Sequence, residues 1–164
     1  MKDKKKLDDG LSKAKSDALR LLSFRPRSVD ELGRRLKLKR YPEEIISQVL
    51  SLLGKQGLLD DTRFAKLYAE SRIYNHPTGR SQIAFDLKQK GVKKEVVDET
   101  LASLHDLDEK KMARDLVFKR FQKMTGLSVE KKKARIFGFL KRRGFTHDAI
   151  FDAMKELFKD VELE

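Results

Sequence analysis

The chain contains no cysteine, so disulfides and thiolate metal sites are excluded, which fits a reducing cytoplasm. No apolar run approaches the roughly 20 residues needed to cross a bilayer, so no membrane partner is expected. The first ten residues, MKDKKKLDDG, are basic but lack the apolar segment of a secretory signal. Residues 1–15 therefore read as a basic, solvated, frayed tail, and 159–164 as a short C-terminal one. Catalytic signatures are missing too. There is no G-x-x-x-x-G-K-[ST] phosphate loop and no G-x-S-x-G elbow. His76, His105 and His147 lie far apart in sequence, and none sits in an H-E-x-x-H pattern. The pair Asp60–Asp61 opens a helix and reads as an N-cap rather than a metal site. No catalytic residue, metal ligand or cofactor is expected, and the chain does not read as an enzyme. Nor does any segment read as a strand.

What the chain does have is positive charge and repetition. Lys and Arg number 38 against 26 Asp and Glu, a formal net charge of +12 in 164 residues. A balance of that sign and size favours an anionic partner. The repetition is visible in three phrases: RLKLKRY from Arg35, DLKQKGV from Asp86 and FLKRRGF from Phe139. Leu36, Leu87 and Leu140 align, and each has an apolar residue four positions upstream (Leu32, Ile83, Ile136), so each pair shares one helix face. Downstream, Ile45, Ile46, Val49, Leu50 and Leu53 are matched by Val96, Val97, Thr100, Leu101 and Leu104. The third set is Ala149, Ile150, Ala153, Met154 and Leu157. The spacing i, i+1, i+4, i+5, i+8 is an amphipathic helix stripe in all three.

Upstream of each pair lies another helix, with Ala18, Leu21 and Leu22 in the first copy, Phe64, Leu67 and Tyr68 in the second, and Ala113, Leu116, Val117 and Phe121 in the third. The fold expected is all-α: three tandem three-helix repeats over 16–58, 60–105 and 108–158, each closing a small core. Gly91 and Gly144 stand where the middle helix must stop, and Val92 and Phe145 turn back toward the core. Arg40 takes the Gly position in the first copy, with Pro42 close behind.

The charge is concentrated. Segments 30–40, 79–90 and 129–143, the middle helices with their lead-ins, carry +3, +2 and +6. The third helices are acidic: segments 42–53, 93–104 and 146–157 carry −2, −1 and −2. In a DNA-reading helix–turn–helix the last helix of the pair enters the major groove, where an acidic helix is repelled by phosphate. Operator reading is thus disfavoured. The cluster of Arg135, Lys141, Arg142 and Arg143 reads as a binding surface, and as exposed charge it tolerates reversal without loss of fold.

The segments ALRLLSFRPRSVDELGRRL, LLDDTRFAKLYAESRI, FDLKQKGV and FLKRRGF, in this order and spacing, resemble the RecX regulatory family from about Ser16 to about Phe158. The resemblance implies an elongated, curved array of three-helix units. It implies a negative regulator that binds the groove of the RecA recombinase filament. Such a regulator restrains ATP hydrolysis, strand exchange and coprotease activity in DNA repair and the SOS response. The candidate filament- or nucleic-acid-binding residues are Arg34, Arg35, Lys37, Lys39, Arg40, Arg72, Arg80, Lys88, Lys90, Lys132, Arg135, Lys141, Arg142 and Arg143. RecA is the expected partner of a cytoplasmic monomer, and single- or double-stranded DNA stays open as a second one. Two other classes also stay open: a DNA-binding regulatory or architectural helical module, and an RNA- or ribosome-associated basic protein. Against the latter, no aromatic stacking surface stands out in the sequence.

Overall fold

The computed structural model describes residues 2–104 and 107–159, and among them there are nine α-helices and no strand. In chain order these are α1 (Lys2–Phe24), α2 (Val29–Leu38), α3 (Glu43–Lys55), α4 (Asp61–Tyr74), α5 (Arg80–Gln89), α6 (Lys94–Ala102), α7 (Glu109–Phe121), α8 (Val129–Arg142) and α9 (His147–Phe158). They fall into three successive triplets. One expectation fails at the start: α1 begins at Lys2 rather than after a frayed tail, and Ala14 is fully buried on its inner face. His105 and residues 160–164, most of the expected C-terminal tail, lie outside the described residues.

The repeated apolar pairs are the heart of each triplet. Leu32, Leu36, Ile83, Leu87, Ile136 and Leu140 are all fully buried. Each contributes roughly 1.5–3 kcal/mol relative to remaining in water. The third-helix stripes are buried less evenly. Ile45, Ile46, Val49 and Leu53 are buried, whereas Leu101 and Leu104 are only half-buried. Thr100, the one polar member, is buried with its Oγ1 donating to the Val96 carbonyl at 2.7 Å. Leu67, expected on the inner stripe of α4, is exposed, and Ala65 and Ala69 take the buried positions beside Phe64.

All three phrases end in the same turn. The amides of Tyr41, Val92 and Phe145 donate to the carbonyls of Leu36, Leu87 and Leu140, at 3.4, 3.1 and 3.3 Å. This closes each middle helix with a left-handed residue: Arg40 at φ 64°, Gly91 at 74° and Gly144 at 71°.

Two compact units emerge, and they do not follow the repeats. The first comprises Met1–Tyr68 and Leu87–Thr100; the second comprises Ala69–Asp86 and Leu101–Glu164. The middle triplet is divided between them. In the first unit the Gly91 turn packs on the start of α2. Ser28, fully buried, accepts from the Glu31 amide and donates its hydroxyl to the Lys90 carbonyl. Asp61 accepts from the Val29 amide at 2.8 Å, and Arg34 donates to the Gln89 carbonyl at 3.0 Å. Burial pushes the Asp61 carboxyl up, against the pull of the Val29 amide.

The second unit repeats this joint with other atoms. The Gly144 turn packs on the start of α5, where the Gly79 amide donates to the Arg143 carbonyl at 2.8 Å. Glu109, buried, accepts from the Arg80 amide at 2.8 Å and from the Thr146 amide at 3.2 Å. In both units a carboxylate at the first position of a first helix (Asp61 of α4, Glu109 of α7) caps the middle helix of the preceding triplet. Asp60, not Asp61, caps α4 itself, accepting from Thr62 at 2.8 Å.

Candidate functional site

The candidate contact residues divide sharply once their partners are known. In the first unit, Arg34 pairs with Asp30 at 2.6 Å, Lys37 with Glu43 at 3.6 Å and Lys39 with Asp17 at 2.9 Å. Lys90 lies 4.0 Å from Glu31 and 5.1 Å over the Tyr68 ring. Glu31 also receives Arg25 and Arg27; burial raises its pKa, but the Arg25 hydrogen bond and these charges outweigh it and hold the carboxyl below the usual range. Arg35, Arg40 and Lys88 are exposed.

In the second unit Arg72 binds Asp86 at 2.7 Å. Arg80 donates to the Leu104 and Leu107 carbonyls beside Glu109. These cations hold the fold together. Arg143 joins them: its guanidinium donates to the Pro77 carbonyl at 2.9 Å and lies 5.0 Å over Phe139. The expectation that Arg143 is exposed charge, reversible at no cost, is corrected on this point.

What remains outward on α8 is a continuous basic face. Ile136 and Leu140 fix the inner side of the helix. By helical spacing, Lys131, Arg135, Gly138 and Arg142 then share one outer flank and Phe137 with Lys141 another. The only acid in the helix, Glu130, sits in its first turn, where its own amide and Ser128 hold its pKa low. Arg135, Lys141 and Arg142 are exposed, while Lys132 lies 4.8 Å over Phe121.

On the Arg135 flank the helix borders an open groove of about 670 Å³, shared with Arg120, Lys123 and Met124 at the end of α7. Neither Arg120 nor Lys123 stood out in the sequence, because Arg120 sits in a first helix of mixed charge and Lys123 in the turn just after it. On the other flank Phe137 meets two α9 rings, His147 and Phe151, at 6.4 and 6.5 Å. Their signal was present: both α9 rings fall outside the 149–150–153–154–157 stripe.

The fold and this face define a class, a helical-repeat protein with a cationic outer helix and, among the described residues, no cluster of His, Asp and Glu placed to hold a metal ion. No helix among the described residues is long and apolar enough to cross a membrane. Three family models match in succession: the RecX first, second and third three-helix domains, over residues 14–53, 60–101 and 108–154. The chain belongs to the RecX family of regulatory proteins.

Relatives bearing the name regulatory protein RecX include one from Streptomyces coelicolor, 32% identical over 94% of this chain and 84% of its own length. Another, from Mycolicibacterium smegmatis, is 34% identical over 86% and 77%. That of Chlorobium limicola is 31% identical over 93% and 94%. The crystal structure of RecX from Lactobacillus salivarius superposes with a TM-score of 0.77 at 25% identity, covering 92% of this chain and 97% of that one. A second RecX crystal structure gives 0.78 at 26% identity, covering 93% and 74%.

Proposed function

We propose that this protein is a non-enzymatic negative regulator of the RecA recombinase. It binds in the groove of the RecA filament and restrains ATP hydrolysis, strand exchange and coprotease activity. Its place is the cytoplasm, as a monomer, and the three repeats, taken as 16–58, 60–105 and 108–158, meet successive filament protomers. Linked contacts of this kind raise avidity without any one of them being strong. Family membership supports the partner. The observation that carries the site is the split among the cations: Arg34, Lys39, Arg72 and Arg80 are held by carboxylates and carbonyls of the chain and Arg35, Arg40 and Lys88 stand exposed outside α8, whereas Arg135, Lys141 and Arg142 project together from α8.

The test is RecA ATP hydrolysis on single-stranded DNA with the protein titrated in. Reversing Arg135, Lys141 and Arg142 to Glu, and leaving Arg143 to its joint, keeps the helical circular-dichroism signal and abolishes inhibition. Raising salt mimics the loss in the wild type, because charge acts within a Debye length of about 10 Å at 0.1 M. A matched variant with Glu43, Glu44 and Asp98 changed to Lys retains inhibition. Full inhibition by the folded triple-Glu protein would remove the α8 face from the mechanism. The alternative, a DNA-binding helical module without RecA, is supported instead if a duplex site is bound and RecA hydrolysis is untouched.

A further inference from the structure

Three rings meet at the outer edge of the third triplet: Phe137, half-buried and packed against its core, and His147 and Phe151, which the core leaves exposed. Phe137 of α8 lies 6.4 Å from His147 and 6.5 Å from Phe151, and His147 lies 6.4 Å from Phe151 with the two planes 27° apart. Phe151 is 62% exposed, a large apolar area left in water, and His147 is exposed beside it. A single exposed Phe is unremarkable; three rings in mutual contact form a platform.

The platform is edged by cations. Lys141 Nζ lies 6.0 Å from the Phe137 ring centre. Phe151 also lines an open groove of about 380 Å³ that carries Lys133, Lys155 and Lys159. The nearby acids are partly answered: Asp152 and Glu156 both receive Arg114, at 3.2 and 3.1 Å, which leaves Asp148 as the acid closest in sequence to His147.

We infer that Phe137, His147 and Phe151 form a stacking surface for the unpaired bases of single-stranded DNA, with Lys141 and the lysine groove taking the adjacent phosphates. The chemistry is specific to a single strand. A duplex buries its base faces in its own stack and offers only groove edges and phosphates, whereas every unpaired base presents a π-face that an aromatic side chain can cover. The rings themselves ask only for bases. The choice of DNA over RNA rests on the filament reading above.

The experiment omits RecA, so its failure and the failure of that reading are separable. Full-length protein is titrated into fluorescein-labelled oligo(dT) of about 16 nucleotides, the upper site size of single-strand binders, and followed by anisotropy. Phe151→Ala weakens binding roughly five- to 150-fold, as expected for loss of one stacked base, and Phe151→Tyr restores it. Phe118→Ala, which removes an equally exposed ring on α7 outside the cluster, leaves binding unchanged.

The chain has no tryptophan, so Phe151→Trp supplies a sole reporter whose emission is quenched as oligo(dT) stacks on it. This variant keeps a ring at the site and decides the matter even where Phe151→Ala folds poorly. Any of the following overturns the proposal: no binding of oligo(dT), an affinity of Phe151→Ala equal to wild type, an unquenched Trp, or duplex bound as tightly as single strand. Tighter binding of oligo(rU) than of oligo(dT) overturns the choice of DNA.

Discussion

Replacing Gly144 by Ala should damage this protein far more than replacing Gly126. Both residues hold positive φ, 71° in each case. Any L-residue there incurs about 1–2 kcal/mol. The difference lies in the surroundings. Around Gly126 a Cβ meets nothing within 4 Å, whereas at Gly144 it falls 2.3 Å from the Gln82 amide nitrogen and 2.6 Å from the Gln82 Cβ. Those atoms belong to the first turn of α5, pinned by the Gly79–Arg143 and Arg80–Glu109 hydrogen bonds, so they cannot yield by a rotamer change. Overpacking of this kind adds about 1–3 kcal/mol.

Gly144→Ala should therefore cost about 2–5 kcal/mol and Gly126→Ala about 1–2. With roughly 2–4 °C lost per kcal/mol in a chain of this size, thermal melting places Gly144→Ala some 2–12 °C below Gly126→Ala. Arg40→Gly supplies the opposite sign: relief of the left-handed strain, partly offset by glycine's entropy, leaves it neutral or up to about 1 kcal/mol more stable. Equal melting of the two Ala variants would refute the argument that the repeated Gly marks a packed joint between triplets.

Glu109→Ala strips the acceptor from two backbone donors, those of Arg80 and Thr146, and should cost about 2–5 kcal/mol in urea unfolding, with Glu109→Gln milder because one oxygen remains. Glu31 gives a pH signature: its folded pKa is lowered, so its contribution is present above the unfolded value of 4.5 and is lost as pH falls through the folded one. The stability gap between wild type and Glu31→Gln should shrink from pH 7 to pH 3, and a gap that stays constant counts against the Arg25–Arg27–Lys90 cluster. Asp61 runs the other way: its raised pKa makes its contribution fullest below 3.8 and lost as pH rises through the folded value, so Asp61→Asn should gain relative to wild type as pH increases.

The sequence by itself determined the helices, their number and their grouping, because each needs only a local apolar stripe and a stop signal. Leu36, Leu87 and Leu140 are fully buried where a 3.6-residue period places them. The three turns close with the same backbone geometry whether the left-handed residue is Gly or Arg. Local spacing could not show which surface each turn meets. Gly91 and Gly144 are glycine for two reasons, a positive φ that sequence can suggest and a neighbouring triplet that only packing reveals; Arg40 escapes the second, and so survives as Arg. The same limit governed charge. The run at 139–145 reads as one basic cluster, yet Arg143 turns to the Pro77 carbonyl while Lys141 and Arg142 face outward. Residues adjacent in a helical phrase point in different directions, and only the elements packed around them decide which charges are consumed by the fold and which are left for a partner.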